Sequence, residues 1–352
     1  MDEETTAVAD WGLASVDDCL DRFFRLAGQR ARSYGRPSEE LVAVLRKASS
    51  GGKRFRPRMV LTAYSGLGGV DVRAAAHVAA AYELLHTALV VHDDVIDRDW
   101  SRRGVPNVAG SFRDQAATGG IPTPVAEHRG TSAAVIAGDL ALAGAPRLVE
   151  SSGVDGERRS RLLAILDEAV FASAAGEMAD VDLSLGVMPS VDEIVAMERA
   201  KTAVYSFEAP LQSGAVLAGA PEPIVAALGA FGREIGIAYQ IVDDILGVFG
   251  DEDTTGKSAS GDLREGKRTV LIAHAATTEH WPAIERFLGR RDLTDDQAEH
   301  LRSSIRRSGA LDMATERVDR YATLACAALD DVPDDLRTPL ERLVTELVDR
   351  VR

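Results

Sequence analysis

The sequence predicts an all-α protein, a single-domain bundle of many helices. Three observations carry that expectation. Aromatic residues are only 5% of the 352-residue chain while hydrophobic residues reach 45%, and the apolar stretches are rich in Ala and Leu, which favour helix over sheet. The apolar spacing is that of helices in segment after segment. No stretch alternates convincingly as a strand would, and there is neither an internal repeat nor a low-complexity tract.

Taken in order, residues 16–33 space Val16, Leu20, Phe23, Phe24 and Ala27 on one helical face. A second helix runs from about Ser38 to Lys47 and ends before Ser49-Ser50-Gly51-Gly52. A long helix starts near Ala74, with a stripe of Leu84, Ala88, Val91 and Val95. Residues 104–130 carry Gly, Pro and polar residues and read as a long loop, which in a compact domain is usually functional. Helical patterning resumes at Thr131–Glu150 and Arg158–Leu185. Ser190-Val191-Asp192-Glu193 is a capping box that should start a helix carrying Lys201-Thr202. Pro223–Phe249 reads as helix and residues 250–268 as loop. Thr338-Pro339-Leu340-Glu341 reads as N-cap, N1 proline and capping glutamate, with Leu336, Leu340, Leu343, Leu347 and Val351 on one face.

The charge balance is acidic, −15 from 40 basic and 55 acidic residues, which argues against a nucleic-acid surface. Cys19 and Cys326 form no Cys-x-x-Cys pattern, so neither a disulfide framework nor a thiolate metal site is expected. Met1-Asp2-Glu3-Glu4 has no apolar stretch of a secretory signal. No run approaches the ~18 uninterrupted apolar residues of a membrane span. A soluble cytoplasmic protein is expected.

Two aspartate clusters carry the chemistry. In His92-Asp93-Asp94-Val95-Ile96-Asp97, helical geometry puts Asp97 one turn beyond Asp93 on the same face, and His86 two turns before it, ~10 Å away. Arg102-Arg103-Gly104 follow. In Gln240-Ile241-Val242-Asp243-Asp244, the pair ends an apolar run, Gln240 shares its face, and Lys257 and Lys267 lie downstream. Paired carboxylates on apolar helices are costly unless a cation neutralises them. Clusters with nearby basic residues therefore describe a site for Mg²⁺ and a polyanion such as a diphosphate. Either cluster alone would also fit a solvated acidic helix end; together they read as two walls of one metal site. Gly51-Gly52-Lys53-Arg54-Phe55-Arg56-Pro57-Arg58 adds four cations, with glycines that let backbone N–H groups approach an anion.

These motifs, with Gly138-Asp139, Lys201-Thr202, Tyr239, Gly256-Lys257 and Gly266-Lys267-Arg268-Thr269, closely resemble those of the trans-isoprenyl diphosphate synthases, or polyprenyl synthetases, over residues 40–275. The resemblance implies that Asp93, Asp97 and Asp243 ligate Mg²⁺, supported by Asp94 and Asp244. It implies that Arg102, Lys201 and Lys257 hold the allylic diphosphate, that Lys53, Arg56, His86 and Arg103 hold isopentenyl diphosphate, and that Thr202, Gln240 and Lys267 line the reacting end of the allylic site. It also implies that the helices surround a central catalytic cavity, and that the protein is a homodimer. One departure stands out. Family members often carry a third aspartate where this chain has Gly247, so metal binding there would lean on water or on Asp251.

In the family that the chain resembles, bulky residues four and five positions before the first aspartate block the growing tail; here those positions are Leu89 and Ala88, so the resemblance implies a C20 product, geranylgeranyl diphosphate. Tyr82 lies on nearly the same face ~16 Å deeper and either floors the tunnel or packs between helices. A farnesyl or longer product is the alternative. A class I terpene cyclase would not need the second anion site, and a non-catalytic subunit should have lost its aspartates.

Overall fold

The computed structural model describes residues 3–250 and 261–351, with side chains from Gly12 onward. The chain divides into two compact units, residues 1–167 with 210–220, and residues 168–209 with 221–352. Each is described by itself.

The first unit contains α1 (Glu3–Ala31), α2 (Arg36–Ala48), α3 (Phe55–Gly66), α4 (Val72–Ile96), a two-stranded hairpin β1–β2 (Ser101–Arg102, Val105–Pro106), α5 (Val108–Thr118), α6 (Thr123–Glu150) and the start of α7 (Gly156–Leu185). α4 is its axis and packs on α1, α3 and α6. The Asp71 carboxylate caps α4 by accepting from the Ala74 N–H at 3.0 Å, which satisfies one of the N–H groups left over at any helix start. Ala79, Ala80, Ala81, Leu84, Leu85 and Ala88 are fully buried, and the small alanines among them let neighbouring helices approach closely.

The second unit holds the remainder of α7, then α8 (Val191–Glu198) and a π-helical segment (Arg199–Glu208); α9 (Ala209–Ala218), which follows, belongs from Pro210 onward to the first unit. It continues with α10 (Glu222–Phe249), α11 (Gly261–Glu265), α12 (Val270–Ala275), α13 (Trp281–Glu285), α14 (Asp295–Arg307), α15 (Ala310–Ala327) and α16 (Asp334–Val348). The Ser190–Glu193 capping box opens α8 as expected. α10 packs on the π segment and on α15. A Cβ at Gly236 would come within 2.5 Å of Ala203, and one at Gly232 within 2.6 Å of Glu208, so these glycines set the close approach of α10 to the π segment.

Four expectations are corrected. Residues 104–130 are not a loop. They form the hairpin end, α5 and the first turns of α6, with Asn107 capping α5 through Gly110 N at 2.8 Å. Two of the glycines that suggested a loop are packing residues: a Cβ at Gly110 would meet the Trp100 carbonyl at 2.0 Å, and one at Gly130 the Ala109 carbonyl at 2.5 Å. Thr338 is not an N-cap. α16 starts at Asp334, and Pro339 lies inside it; Asp334 and Asp335 favour that earlier start by sitting at the positive end of the helix dipole. Residues 261–265 of the expected second loop are helical. Finally, α4, α6 and α10 are long and apolar enough to cross a membrane by length and composition, with mean hydropathies of 1.4, 1.3 and 1.2. Half or more of each apolar window, 78%, 50% and 56%, is buried inside the protein, which accounts for their composition.

Candidate active site

In the first unit the site is built where α4 ends. Arg98, at φ 59°, takes the left-handed position after the helix, and the Asp99 and Arg98 N–H groups bond back to Asp94 O at 2.8 Å and Val95 O at 3.2 Å. That is a Schellman closure on a non-glycine residue, a conformation that costs an L-residue roughly 1–2 kcal/mol. It fixes the last turn of α4, where Asp97 N–H still bonds Asp93 O at 2.9 Å, so Asp93 and Asp97 do lie one turn apart. Asp94 is buried and Asp97 exposed, with Asp93 between them.

The chain then turns back through β1–β2, whose two turn residues, Arg103 and Gly104, have φ of 54° and 74°, the geometry of a tight type I′ hairpin. This returns Arg102 to the aspartates: its Nε donates to Asp94 Oδ1 at 2.9 Å and its Nη2 to Asp93 Oδ2 at 3.2 Å. Burial pushes the Asp94 carboxyl up, and Arg102 opposes the shift. His92 reaches Asp139 at 3.4 Å. Gly138 makes room for it, since a Cβ there would lie 2.2 Å from His92 Nε2.

The Gly51–Arg58 turn joins this region. Gly51, Gly52 and Arg54 all have positive φ, and a Cβ at Gly52 would lie 3.9 Å from Arg103 Nη1. The four cations are not equivalent. Arg54 is structural: it donates to Glu83 Oε1 at 2.8 Å and to Ser49 O at 2.8 Å, and pairs with Asp17 at 2.8 Å. Lys53 is exposed and Arg56 half-buried. His86 is held well below the usual histidine range, first by burial, then by Arg56, Arg102, Arg103 and Arg54. Four guanidinium groups thus act on the His86 imidazole, a concentration of positive charge suited to an anion, and His86, Arg56 and Arg103 are three of the four residues expected for isopentenyl diphosphate.

Ala88 is fully buried and Leu89 half-buried on α4. Tyr82 is buried, with its hydroxyl 2.7 Å from Ser213 Oγ of α9.

In the second unit, α10 carries Gln240, Asp243 and Asp244. Asp244 is fully buried. Its Oδ1 accepts from Lys267 Nζ at 3.0 Å and from Gln240 Nε2 at 3.4 Å. Its Oδ2 and Glu198 Oε2 are buried without a donor, which one proton shared between the two carboxyls resolves. Burial first, and Asp244 second, push Glu198 well above the usual carboxyl range, so Glu198 carries that proton. Asp244 in turn raises the Lys267 ammonium above the lysine range, against the opposing effect of its burial, so Lys267 stays charged. Lys201 is paired with Asp180 at 2.6 Å and Glu177 at 3.0 Å. Gly176 permits this approach, since a Cβ there would lie 2.2 Å from Lys201 N. Thr202 is half-buried on the π segment. Lys257 and Asp251 lie outside the described residues.

Sequence reasoning thus missed Glu177, Asp180, Glu198 and the anchoring role of Arg54. The signal for Glu198 was present: a lone acid three residues before Lys201 on an apolar helix.

Among the described residues no three His, Cys, Asp or Glu side chains gather closely enough to hold an ion alone. The donors on offer are all carboxylate oxygens in small sets. That fits Mg²⁺, which is usually held by one or two carboxylates and completes its shell with phosphate oxygens and water.

The polyprenyl synthetase family model matches residues 38–305, spanning residues of both units. The chain is 34% identical over 317 residues to a geranylfarnesyl diphosphate synthase of Aeropyrum pernix, covering 88% of this chain and 94% of that one. It is 31% identical over 295 residues to a geranylgeranyl diphosphate synthase of Saccharolobus solfataricus, covering 82% and 83%. It superposes with a TM-score of 0.89 and 31% identity on a geranylgeranyl pyrophosphate synthase of Corynebacterium glutamicum complexed with isoprenyl diphosphate and magnesium, covering 97% and 99%. The chain belongs to the polyprenyl synthetase family and is an isoprenyl diphosphate synthase, a prenyltransferase.

Proposed function

We propose that the protein condenses isopentenyl diphosphate with allylic diphosphates in a Mg²⁺-dependent 1′-4 prenyl transfer, with geranylgeranyl diphosphate as product. The observation that carries the reading is the concentration of Arg56, Arg102 and Arg103 charge around His86, with Arg102 itself bonded to Asp94 and Asp93 of the Asp93–Asp97 turn. One enzyme then holds a diphosphate on cations next to carboxylates suited to the metal of a second diphosphate.

Asp93, Asp97 and Asp243 would hold Mg²⁺, which neutralises the allylic diphosphate as a leaving group. Asp94 anchors Asp93 through Arg102, and Asp244 holds Lys267 and Gln240 beside Asp243 on α10. Lys53, Arg56, His86 and Arg103 bind isopentenyl diphosphate, whose double bond attacks C1 of the allylic cation left by ionisation. The new C1′–C4 bond forms and a proton leaves to the departed diphosphate. Arg102, Lys201, Lys257, Thr202 and Lys267 hold and line the allylic site. The protein's part is positioning, charge stabilisation and exclusion of water. Ala88 and Leu89 leave the tail path open past C15, and Tyr82, fixed by Ser213, is a rigid lower wall. Geranylgeranyl synthases among the relatives support C20, while the Aeropyrum relative supports one unit more.

We read residues 1–352 as one polyprenyl synthetase domain, soluble and cytoplasmic. We also read it as a homodimer, supported by the exposed apolar face of α6, where Val125, Val135, Ile136 and Leu140 are each 41–56% exposed.

The test is mass spectrometry of the product made from labelled isopentenyl diphosphate and each allylic primer, with and without Mg²⁺. A Mg²⁺-dependent C20 product is expected. Asp93→Asn and Asp97→Asn should each lower turnover by orders of magnitude with the fold intact; near-wild-type turnover of either at saturating Mg²⁺ overturns the reading.

A further inference from the structure

The C-terminal end of α7 is closed by a side chain from far along the sequence. The last four carbonyls of any helix lack a partner within it. Among the described residues no backbone N–H of residues 186–189 bonds back to α7, and α7 has no basic residue in its own last turn. Apolar burial does not hold this end either, since Leu185 is 80% exposed and Val187 90%. What holds it is one nitrogen of Arg268. Its Nη1 donates to Leu183 O at 2.6 Å, to Gly186 O at 2.9 Å and to Val187 O at 2.9 Å. A cation at a helix C-terminus also complements the helix dipole.

Arg268 is itself held on both sides. The Gly266 and Lys267 N–H groups each bond Asp262 O at 3.0 Å. Thr269, 1% exposed, caps α12 by accepting from the Ile272 N–H at 3.4 Å. Between these fixed points Lys267 reaches Asp244 of α10 at 3.0 Å, and Arg268 reaches α7. Residues 266–269 therefore tie α10 to the end of α7 within the second unit. α7 also carries Glu177 and Asp180, the carboxylates that hold Lys201. Asp180 belongs to the turn that ends at Leu183, so the turn that Arg268 closes is the one that aims Asp180.

We propose that Arg268 is a positioning residue of the allylic half-site. By closing α7 it fixes Asp180 and Glu177, and through them the direction of the Lys201 ammonium relative to Lys267. Arg268 acts through these groups and not on the substrate. The inference rests on the reading of Lys201 as a cation of the allylic diphosphate.

The experiment is steady-state kinetics of the full-length protein with both substrates varied, on Arg268→Met, Arg268→Lys, Lys201→Ala and the pair Arg268→Met with Lys201→Ala. Circular dichroism and thermal unfolding serve as controls for folding. Arg268→Met keeps the length of the side chain and removes its donors. It should raise the KM for the allylic substrate by about 10-fold or more, because misplacing a positioning group by about 1 Å costs up to about 100-fold. The KM for isopentenyl diphosphate, set by residues of the first unit, should stay at the wild-type value. Arg268→Lys, which still donates to carbonyls, should fall between Arg268→Met and wild type; if Arg268→Met does not fold, the same split is read in Arg268→Lys. In the Lys201→Ala background Arg268→Met should add little further, since residues acting through one another are not additive. A folded Arg268→Met with a wild-type allylic KM overturns the proposal. So does an equal rise in both KM values, or full additivity with Lys201→Ala, either of which would mark a merely structural role. If Lys201→Ala raises the allylic KM and Arg268→Met does not, only the role of Arg268 falls. If Lys201→Ala leaves the allylic KM unchanged, the reading of Lys201 falls, and the proposal with it.

Discussion

Arg54 should be worth more to the fold than any other cation of the Gly51–Arg58 turn. Its side chain is 12% exposed and that of its partner Glu83 9%, so Arg54→Ala strands a carboxylate in the interior of the first unit. Removing one partner of a buried ion pair costs about 3–5 kcal/mol. The second pair, to Asp17, adds little, because Asp17 is 55% exposed and exposed pairs are worth about 0.2–1 kcal/mol. Loss of the bond to the Ser49 carbonyl frees the turn as well. The left-handed Arg54 then lacks what holds it, so the KM for isopentenyl diphosphate should rise along with the loss of stability. The assay is a double-mutant cycle of Arg54→Ala, Glu83→Ala and the pair, by equilibrium denaturation. Arg54→Ala should be the worst of the three. The double variant should recover part of the loss, with a coupling of about 2–3 kcal/mol. A single-variant loss below about 1 kcal/mol, the range of an exposed pair, would refute the reasoning.

Lys53→Ala and Arg56→Ala should raise the KM for isopentenyl diphosphate more than that for the allylic substrate, each lost charge-assisted contact costing about 1.5–3 kcal/mol; steady-state kinetics with both substrates varied would show the reverse if the two sites were exchanged. His86 is kept neutral in the folded chain, so the unfolded chain binds a proton that the folded one refuses. Its contribution to stability is full above about pH 6.5 and is lost as pH falls below that. Denaturation midpoints measured down the acid side should therefore fall less steeply in His86→Gln than in wild type, and equal slopes would count against the buried neutral imidazole. Ala88→Phe with Leu89→Phe should shift the product to farnesyl diphosphate, read by mass spectrometry; an unchanged product would mean that the tail does not run past these residues.

Much of the fold was legible because helix formation is mostly local. Apolar spacing marked α4 and α10, and the Ser190–Glu193 box marked the start of α8, since each signal lies within a few residues of what it controls. The aspartate clusters were legible for the same reason: Asp93 and Asp97 share a face by geometry alone. What sequence could not supply was the partner of each group. Gly110 and Gly130 looked like loop residues because their purpose, contact with the Trp100 and Ala109 carbonyls, lies on other elements. Arg54 looked like one more cation of a basic turn until Glu83, 29 residues away, was seen to hold it. Lys201 and Lys267 were found as cations, but their carboxylates, Glu177, Asp180 and Asp244, come from other helices. Gly247 read as the absence of a side chain, and only the fold shows that the Asp262 carboxylate fills that space. Sequence by itself determined most of the helices, their faces and the chemical types present. Only the tertiary structure decided which charges neutralise one another and which are left to act on a substrate, because that depends on distances between segments far apart along the chain.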